Sequence, residues 1–148
     1  MRASELIAVV LLPYLADAQD PCGGCTTLRV SGAENQQSSY MGLYELQSFY
    51  ANGKEVYMKA GVTQMTNRYI FYVGGSLRRW LVADDYRPFG FQQTYNYNIR
   101  SNTTTNADCP TSLHFESAQG GGFSAHSVVI ACDGNTYPQT CCDDVTVS

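Results

Sequence analysis

The stretch that decides the fold is Tyr44-Glu-Leu-Gln-Ser-Phe-Tyr-Ala-Asn-Gly-Lys-Glu-Val-Tyr-Met-Lys59. At its centre stands Asn52-Gly53, and both central residues of a type I′ turn need a positive φ that this pair tolerates. Before this turn, apolar Tyr44 and Leu46 alternate with polar Glu45 and Gln47, which is typical of a strand with one wet face. We therefore predict a β-hairpin with strands Tyr44–Tyr50 and Lys54–Lys59, in which Tyr44 and Tyr50 share one face.

Further strand patterns continue outward from the hairpin in both directions, separated by turn residues such as Gly74-Gly75. No long segment has helical periodicity, and the spacing of the turns is typical of small antiparallel folds. We predict an all-β fold, a disulfide-stabilised antiparallel meander sheet or open barrel of about six to eight strands. The additional predicted strands are Thr26–Ser31, Arg68–Val73, Arg79–Ala83, Phe91–Ile99, Ser112–Ser117 and Phe123–Cys132.

The first 18 residues have the pattern of a secretory signal peptide. Arg2 supplies a basic flank, Leu6–Leu12 is an apolar run too short to span a bilayer, and Ala16-Asp-Ala18 fits a small-x-small cleavage site. Cleavage there would leave 148 − 18 = 130 residues, 19–148, which is enough for one domain. No later run approaches the length of a membrane span, so we expect a secreted, extracellular protein.

The charge pattern argues against one class of partner. The formal net charge is −4, and the Lys and Arg residues are scattered along the chain rather than clustered. A nucleic-acid-binding surface needs a concentrated basic patch to attract phosphates. We therefore expect no nucleic-acid partner.

Six cysteines behind a signal peptide predict three disulfides in an oxidising compartment. Sequence alone cannot choose among their pairings, but adjacent Cα atoms lie only about 3.8 Å apart, so neighbouring cysteines rarely bridge each other. We expect Cys109 to pair with Cys132, and the two N-terminal cysteines to pair with the two C-terminal ones. The six positions are Cys22, Cys25, Cys109, Cys132, Cys141 and Cys142.

Two cysteine spacings and two acidic pairs have alternative interpretations. Cys22-Gly-Gly-Cys25 resembles a redox dithiol, but that chemistry needs a strand before it and a helix after it. Cys141-Cys142 is a poor second half for a zinc site. Asp84-Asp85 and Asp143-Asp144 lack the extra oxygen ligands that calcium requires. We therefore expect structural cysteines, no metal and no cofactor.

Several turn glycines and aromatic positions form a pattern that resembles a known family. The pattern is Val30-Ser-Gly32, Gly42-x-Tyr44, Asn52-Gly53-x-x-Val56-Tyr57, Tyr69-x-Phe71-Tyr72 and Trp80-Leu81. It resembles a β-rich module that recurs, singly and in arrays, in secreted proteins of invertebrates and protists. The resemblance spans roughly residues 26–118 and leaves a Cys-rich part, 109–148, largely outside it. It implies an extracellular, modular, β-rich protein, and it assigns no active site.

Catalytic chemistry has few candidate residues. His114 and Glu116 lie two positions apart on a predicted strand, and therefore on one face, while His126 lies on another strand. Together they could serve acid–base catalysis in a small ribonuclease-like hydrolase, with Arg79 or Arg100 steadying a phosphate. The alternative is two surface or half-buried histidines on a sheet, and we favour it. No Gly-x-Ser-x-Gly motif is present.

Aromatic residues are the stronger functional signal. The chain contains 11 Tyr and a single Trp, and strand alternation suggests that some rings face solvent. Exposed tyrosines give rigid contact area for extracellular protein or carbohydrate, or for self-association. We expect Tyr57 and Tyr72 to form such a face with Arg78 and Arg79 at its rim, and Trp80 to lie in the core. The alternative is that each Tyr only stabilises the sheet through cross-strand pairs.

One segment predicts a covalent modification. Residues 101–110 are rich in Asn and Thr and read as an exposed loop, and they contain the sequon Asn102-Thr-Thr104. We therefore expect Asn102 to carry a glycan. The sequence as a whole favours a secreted glycoprotein that acts as a binding or matrix module without a catalytic centre.

Overall fold

The structure, a computed structural model, describes residue 22 and residues 24–63, 66–87 and 97–134, with the backbone alone at 125–127. The predicted signal peptide, Cys141 and Cys142 lie outside the described residues. A short 3-10 helix, Ser38–Tyr40, precedes the second strand. The strands are β1 (Thr27–Ser31), β2 (Gly42–Ala51), β3 (Lys54–Lys59), β4 (Tyr69–Val73), β5 (Arg79–Ala83), β6 (Tyr97–Ser101), β7 (Phe115–Gln119) and β8 (Gly122–Cys132).

The eight strands form a closed antiparallel barrel in which each strand pairs with its neighbours in sequence. The barrel closes where β1 pairs with β8, with Leu28 opposite Cys132 and Val30 opposite Ile130. This confirms the predicted all-β meander, which is closed rather than open. Closure gives each of the eight described strands a paired neighbour on both sides, so none of them is an edge strand.

The barrel interior is filled with side chains. An eight-stranded barrel is just wide enough for large side chains to fill it, and here one residue in two along each strand points inward. Trp80 has no solvent exposure, which confirms its predicted place in the core. The inward-facing apolar residues include Leu28, Val30, Tyr44, Tyr57, Ile70, Tyr72, Trp80, Val82, Ile99, Phe115, Val128 and Ile130.

One end of the barrel is closed by the β6–β7 connection. We call it the disulfide end. The chain enters β1 and leaves β8 there, and the two described disulfides join these segments and the β6–β7 connection. The indole N–H of Trp80 donates to the carbonyl of Ala107 at 3.0 Å. The hydroxyl of Tyr72 donates to the carbonyl of Thr105 at 2.8 Å. Two inward-facing side chains therefore hold the connection across the barrel mouth and satisfy their own polar groups by doing so.

The opposite end, which we call the far end, is closed by the connection between β1 and β2. Ala33, Tyr40 and Met41 of this connection are buried against the interior cluster. The hydroxyl of Tyr44 donates to the carbonyl of Tyr40 at 2.8 Å. Both ends of the barrel are thus covered by chain, and the interior serves as a packed core.

The disulfides differ from the predicted pairing. Cys22 bonds to Cys109, with 5.1 Å between Cα atoms, and Cys25 bonds to Cys132, with 5.8 Å. The predicted Cys109–Cys132 bridge is therefore wrong, and so are the predicted bridges from Cys22 and Cys25 to Cys141 and Cys142. Barrel closure is the cause, because it sets the residues before β1 beside the end of β8 and brings the β6–β7 connection to the N-terminal segment.

Two strand predictions are displaced along the chain. The strand predicted at 91–99 is observed at Tyr97–Ser101, and residues 91–96 lie outside the described ones. The strand predicted at 112–117 begins later, at Phe115, because Leu113 closes a turn with its N–H bonded to the carbonyl of Pro110 at 3.2 Å. Within the described part of the chain, no helix is long and apolar enough to cross a membrane.

Candidate binding surface

Tyr57 and Tyr72, the predicted binding residues, point into the barrel. Tyr57 has no solvent exposure and Tyr72 retains 5%. The prediction of an exposed face at these positions is wrong, because a closed barrel buries one face of every strand completely. Both faces of β3 and β4 carry apolar residues, so alternation alone could not tell which face turns inward.

The two predicted rim arginines have different roles. Arg78 is exposed and adopts a positive φ of 41° in the turn before β5. Arg79 is half-buried, and its guanidinium donates a hydrogen bond to the carbonyl of Ser101. Arg79 therefore links β5 to the end of β6, whereas the side chain of Arg78 remains accessible at the disulfide end.

A second apolar cluster lies on the outward face of the barrel. Outward positions of an antiparallel sheet are usually polar, but here Val56, Phe71 and Leu81 face outward and have no solvent exposure. Each belongs to a different one of the three neighbouring strands β3, β4 and β5. These strands are therefore buried on both faces. The full set of buried residues in this cluster is Ala51, Val56, Phe71, Val73, Leu81 and Ala83.

Half-buried residues surround this outward cluster. We define them as the outer aromatic patch: Phe49, Tyr69, Leu77, Tyr86 and Tyr97. The rings of Phe49 and Tyr86 lie 4.8 Å apart with a 36° angle between their planes, and those of Tyr69 and Tyr86 lie 5.1 Å apart edge to face. The rings therefore support one another, and each keeps part of its surface accessible.

An exposed charge pair adjoins the patch. The Nε and Nη2 atoms of Arg87 donate to the two carboxylate oxygens of Asp85 at 3.0 and 2.9 Å. The guanidinium carbon of Arg87 lies 5.8 Å from the centre of the Tyr86 ring, and the Arg87 side chain is 71% exposed. These hydrogen bonds from Arg87 hold the pKa of Asp85 below its usual value. The site thus presents a pre-oriented cation and anion beside aromatic rings.

A further aromatic contact continues the patch across β6 and β8. The rings of Tyr97 and Phe123 stack at 5.5 Å with 29° between their planes. The guanidinium carbon of Arg100 lies 4.0 Å from the centre of the Phe123 ring. Arg100 is held in this position by Glu116, whose carboxylate accepts a hydrogen bond from its Nε at 2.5 Å.

Of the three residues of the enzyme alternative, the structure describes the side chains of His114 and Glu116. Burial by itself lowers the pKa of Arg100, but its hydrogen bonds to Glu116 and Tyr97 outweigh burial and leave that pKa raised. His114 is exposed and lies just before β7, and the side chain of His126 lies outside the described residues. The structure therefore gives Glu116 a role in packing the barrel exterior.

The far end holds a polar cluster that the sequence analysis missed. The Tyr40 hydroxyl donates to Asp84 at 2.5 Å, and the Nε of Arg68 lies 3.2 Å from the same carboxylate. Burial raises the pKa of Tyr40 to about 12, so its phenol stays neutral. The sequence does carry a signal for this cluster. Arg68 directly precedes β4 and Asp84 directly follows β5, and these two strands pair with each other. This cluster fastens the connection before β2 to the barrel.

Metal-binding groups are sparse in the part of the chain that the structure describes. No set of three or more His, Cys, Asp or Glu side chains there is arranged to hold a metal ion. The four described cysteines are all engaged in disulfides.

Comparisons with known proteins give no relative from which a function could be transferred. No protein-family model, curated protein or solved structure matches this chain significantly. The function proposed below therefore depends on the residues of this chain alone.

Proposed function

We propose that this protein is a secreted, extracellular binding or matrix module that contacts its partner through the outer aromatic patch and has no catalytic centre. One observation carries the proposal: Phe49, Tyr69 and Tyr86 lie half-buried on the outward face beside the exposed Arg87. Tyr and Arg are enriched among the residues that dominate binding energy at protein interfaces. Aromatic rings that are already packed lose little conformational entropy on binding.

The packed interior supports a binding surface on the outside. Barrels that bind small molecules use an open, roomy interior, whereas here the side chains fill it and both ends are covered by chain. At the disulfide end, a ligand could enter only if the hydrogen bonds of Trp80 and Tyr72 to the β6–β7 connection were broken. Recognition on the outward face needs no such opening.

The partner we propose is an extracellular protein or a carbohydrate, with self-association as the simplest protein case. Aromatic faces beside hydrogen-bonding groups suit both classes of partner. Two disulfides favour an oxidising compartment, because such bonds persist mainly outside the cytosol.

The test removes part of the patch while the core stays intact. A Phe49→Ala/Tyr86→Ala double variant loses two rings that contact each other, and Arg87→Ala removes the neighbouring cation. The matched control is Tyr50→Ala, because Tyr50 is 68% exposed and lies outside the patch. Each protein is tested by sedimentation velocity for self-association, and by co-sedimentation with cellulose, chitin and alginate gel.

We expect wild type and Tyr50→Ala to self-associate or bind one polysaccharide, and the double variant and Arg87→Ala to lose that behaviour while circular dichroism remains unchanged. Two results would reject the proposal. One is equal binding by all four proteins, and the other is a wild-type protein that stays monomeric and binds none of these materials.

A further inference from the structure

The sequon Asn102-Thr103-Thr104 begins directly after β6, at the disulfide end. Ser101 is the last residue of the strand, and it points into the barrel with 1% exposure. Because side chains alternate along a strand, the next residue, Asn102, points outward. All three sequon residues are exposed.

The backbone around the sequon is fixed by hydrogen bonds. The N–H of Asn102 donates to the carbonyl of His114 at 2.9 Å, which continues the pairing of β6 with β7. The hydroxyl of Ser101 donates to the carbonyl of Thr103 at 3.0 Å. These bonds use backbone groups and an inward hydroxyl, so the side chains of Asn102 and Thr104 are left on the surface.

We infer that Asn102 is the attachment site of an N-linked glycan. A bond forms between the Asn102 side-chain nitrogen and the anomeric carbon of an oligosaccharide, and the bond from that carbon to a lipid pyrophosphate breaks. The lipid pyrophosphate leaves, and the amide nitrogen loses a proton. The donor is a lipid-linked oligosaccharide of the secretory pathway, and Thr104 supplies the hydroxyl that the sequon requires.

The fold accommodates this modification without rearrangement. A glycan on Asn102 extends into solvent, because Asn102 is exposed. Thr105, the residue directly after the sequon, donates its N–H to the carbonyl of Arg78 at 2.7 Å, so the sequon adjoins the turn that carries Arg78. The glycan therefore shields the disulfide end and disfavours a protein partner docking on Arg78.

The experiment translates the full chain in the presence of endoplasmic-reticulum microsomes. Wild type is compared with Asn102→Gln and Thr104→Ala, which destroy the sequon, and with Thr104→Ser, which preserves it. Thr103→Ala is a control for a neighbouring change outside the two required positions. The readouts are protection from added protease, gel mobility before and after peptide N-glycosidase, and peptide mass mapping for the Asp that this enzyme leaves at position 102.

We expect wild type, Thr104→Ser and Thr103→Ala to be protected and to shift on glycosidase treatment, and the other two variants to migrate as the unmodified chain. A translocated wild-type chain without a shift would overturn the inference, as would a shift that survives in Asn102→Gln or Thr104→Ala. A chain that stays outside the microsomes also overturns it, because it never meets the transferase.

Discussion

Replacing Tyr57 by Phe removes one hydroxyl from the barrel interior and leaves the ring in place. That hydroxyl lies 3.0 Å from the carbonyl of Cys25 and 3.0 Å from a carboxylate oxygen of Glu55. Tyr57 has no solvent exposure, and Glu55 is 6% exposed. Water therefore cannot easily replace the hydroxyl donor that the variant loses. The buried carboxylate of Glu55 then accepts one hydrogen bond fewer.

The expected loss is about 1.5 to 3 kcal/mol of unfolding free energy, since hydrogen bonds to charged groups contribute roughly that amount. A domain with the usual stability of roughly 5 to 15 kcal/mol stays folded after such a loss. Urea unfolding measures it directly. Trp80 is the only tryptophan and is fully buried, so its fluorescence reports the transition in both proteins.

Tyr50→Phe is the matched control, because it deletes the same hydroxyl from a ring that is 68% exposed. Substitutions of exposed residues usually change the unfolding free energy by less than about 0.5 kcal/mol. If Tyr57→Phe lowered the unfolding free energy as little as Tyr50→Phe does, Tyr57 would not be an interior residue. The inward face of β3 would then be assigned wrongly.

Three further changes probe the core, the disulfides and the far end. Trp80→Ala should lose about 3 to 5 kcal/mol by circular dichroism in urea, and a loss under 1 kcal/mol would contradict its place in the core. Replacing both Cys25 and Cys132 by Ala should cost roughly 3 to 4 kcal/mol on the loop-entropy model, because with the Cys22–Cys109 bridge intact this bridge closes a loop of about 26 residues; an unchanged urea midpoint would count against it. Tyr40 favours its neutral form in the fold, so its stabilising effect is complete below its ordinary pKa of 10.0 and is lost as the pH rises through about 12. The stability difference between wild type and Tyr40→Phe should therefore shrink over that interval, and a difference independent of pH would refute the assignment.

Features that depend on neighbouring residues were predictable from the sequence. Asn52 and Gly53 have φ values of 52° and 76°, as the predicted type I′ turn requires, and Ala51 pairs with Lys54 across it. The bounds of β3 and β5 match the prediction residue for residue, because each is a short apolar-rich run that follows a turn, Asn52-Gly53 or Gly74-Gly75.

Features that depend on barrel closure were not predictable. The pairing of β1 with β8 joins segments about a hundred residues apart, and no local pattern signals it. The disulfide partners follow from that pairing, so they were missed for the same reason. Tyr50 shows a related limit: a register shift between Leu46 and Tyr50 turns it toward solvent, although simple alternation places it on the face of Tyr44.

The candidate site was misassigned because β3, β4 and β5 are apolar on both faces. Alternation separates Tyr57 from Val56 and Tyr72 from Phe71, but it does not say which member of each pair turns inward. The choice is made by closure, which places Tyr57 and Tyr72 with Trp80 in the interior. Their neighbours Val56 and Phe71 then form the centre of the outward cluster.

Burial on both faces also limits which residues can report on binding. Phe71 and Leu81 face outward, yet they have no solvent exposure, so truncating either one should destabilise the barrel as a core substitution does. Loss of binding in such a variant would say nothing about recognition. The half-buried rings of Phe49 and Tyr86 contact each other at the margin of the cluster, and Arg87 beside them is largely exposed. Binding and stability can therefore be separated at these marginal residues, because they keep accessible surface for a partner and lie outside the fully buried cluster.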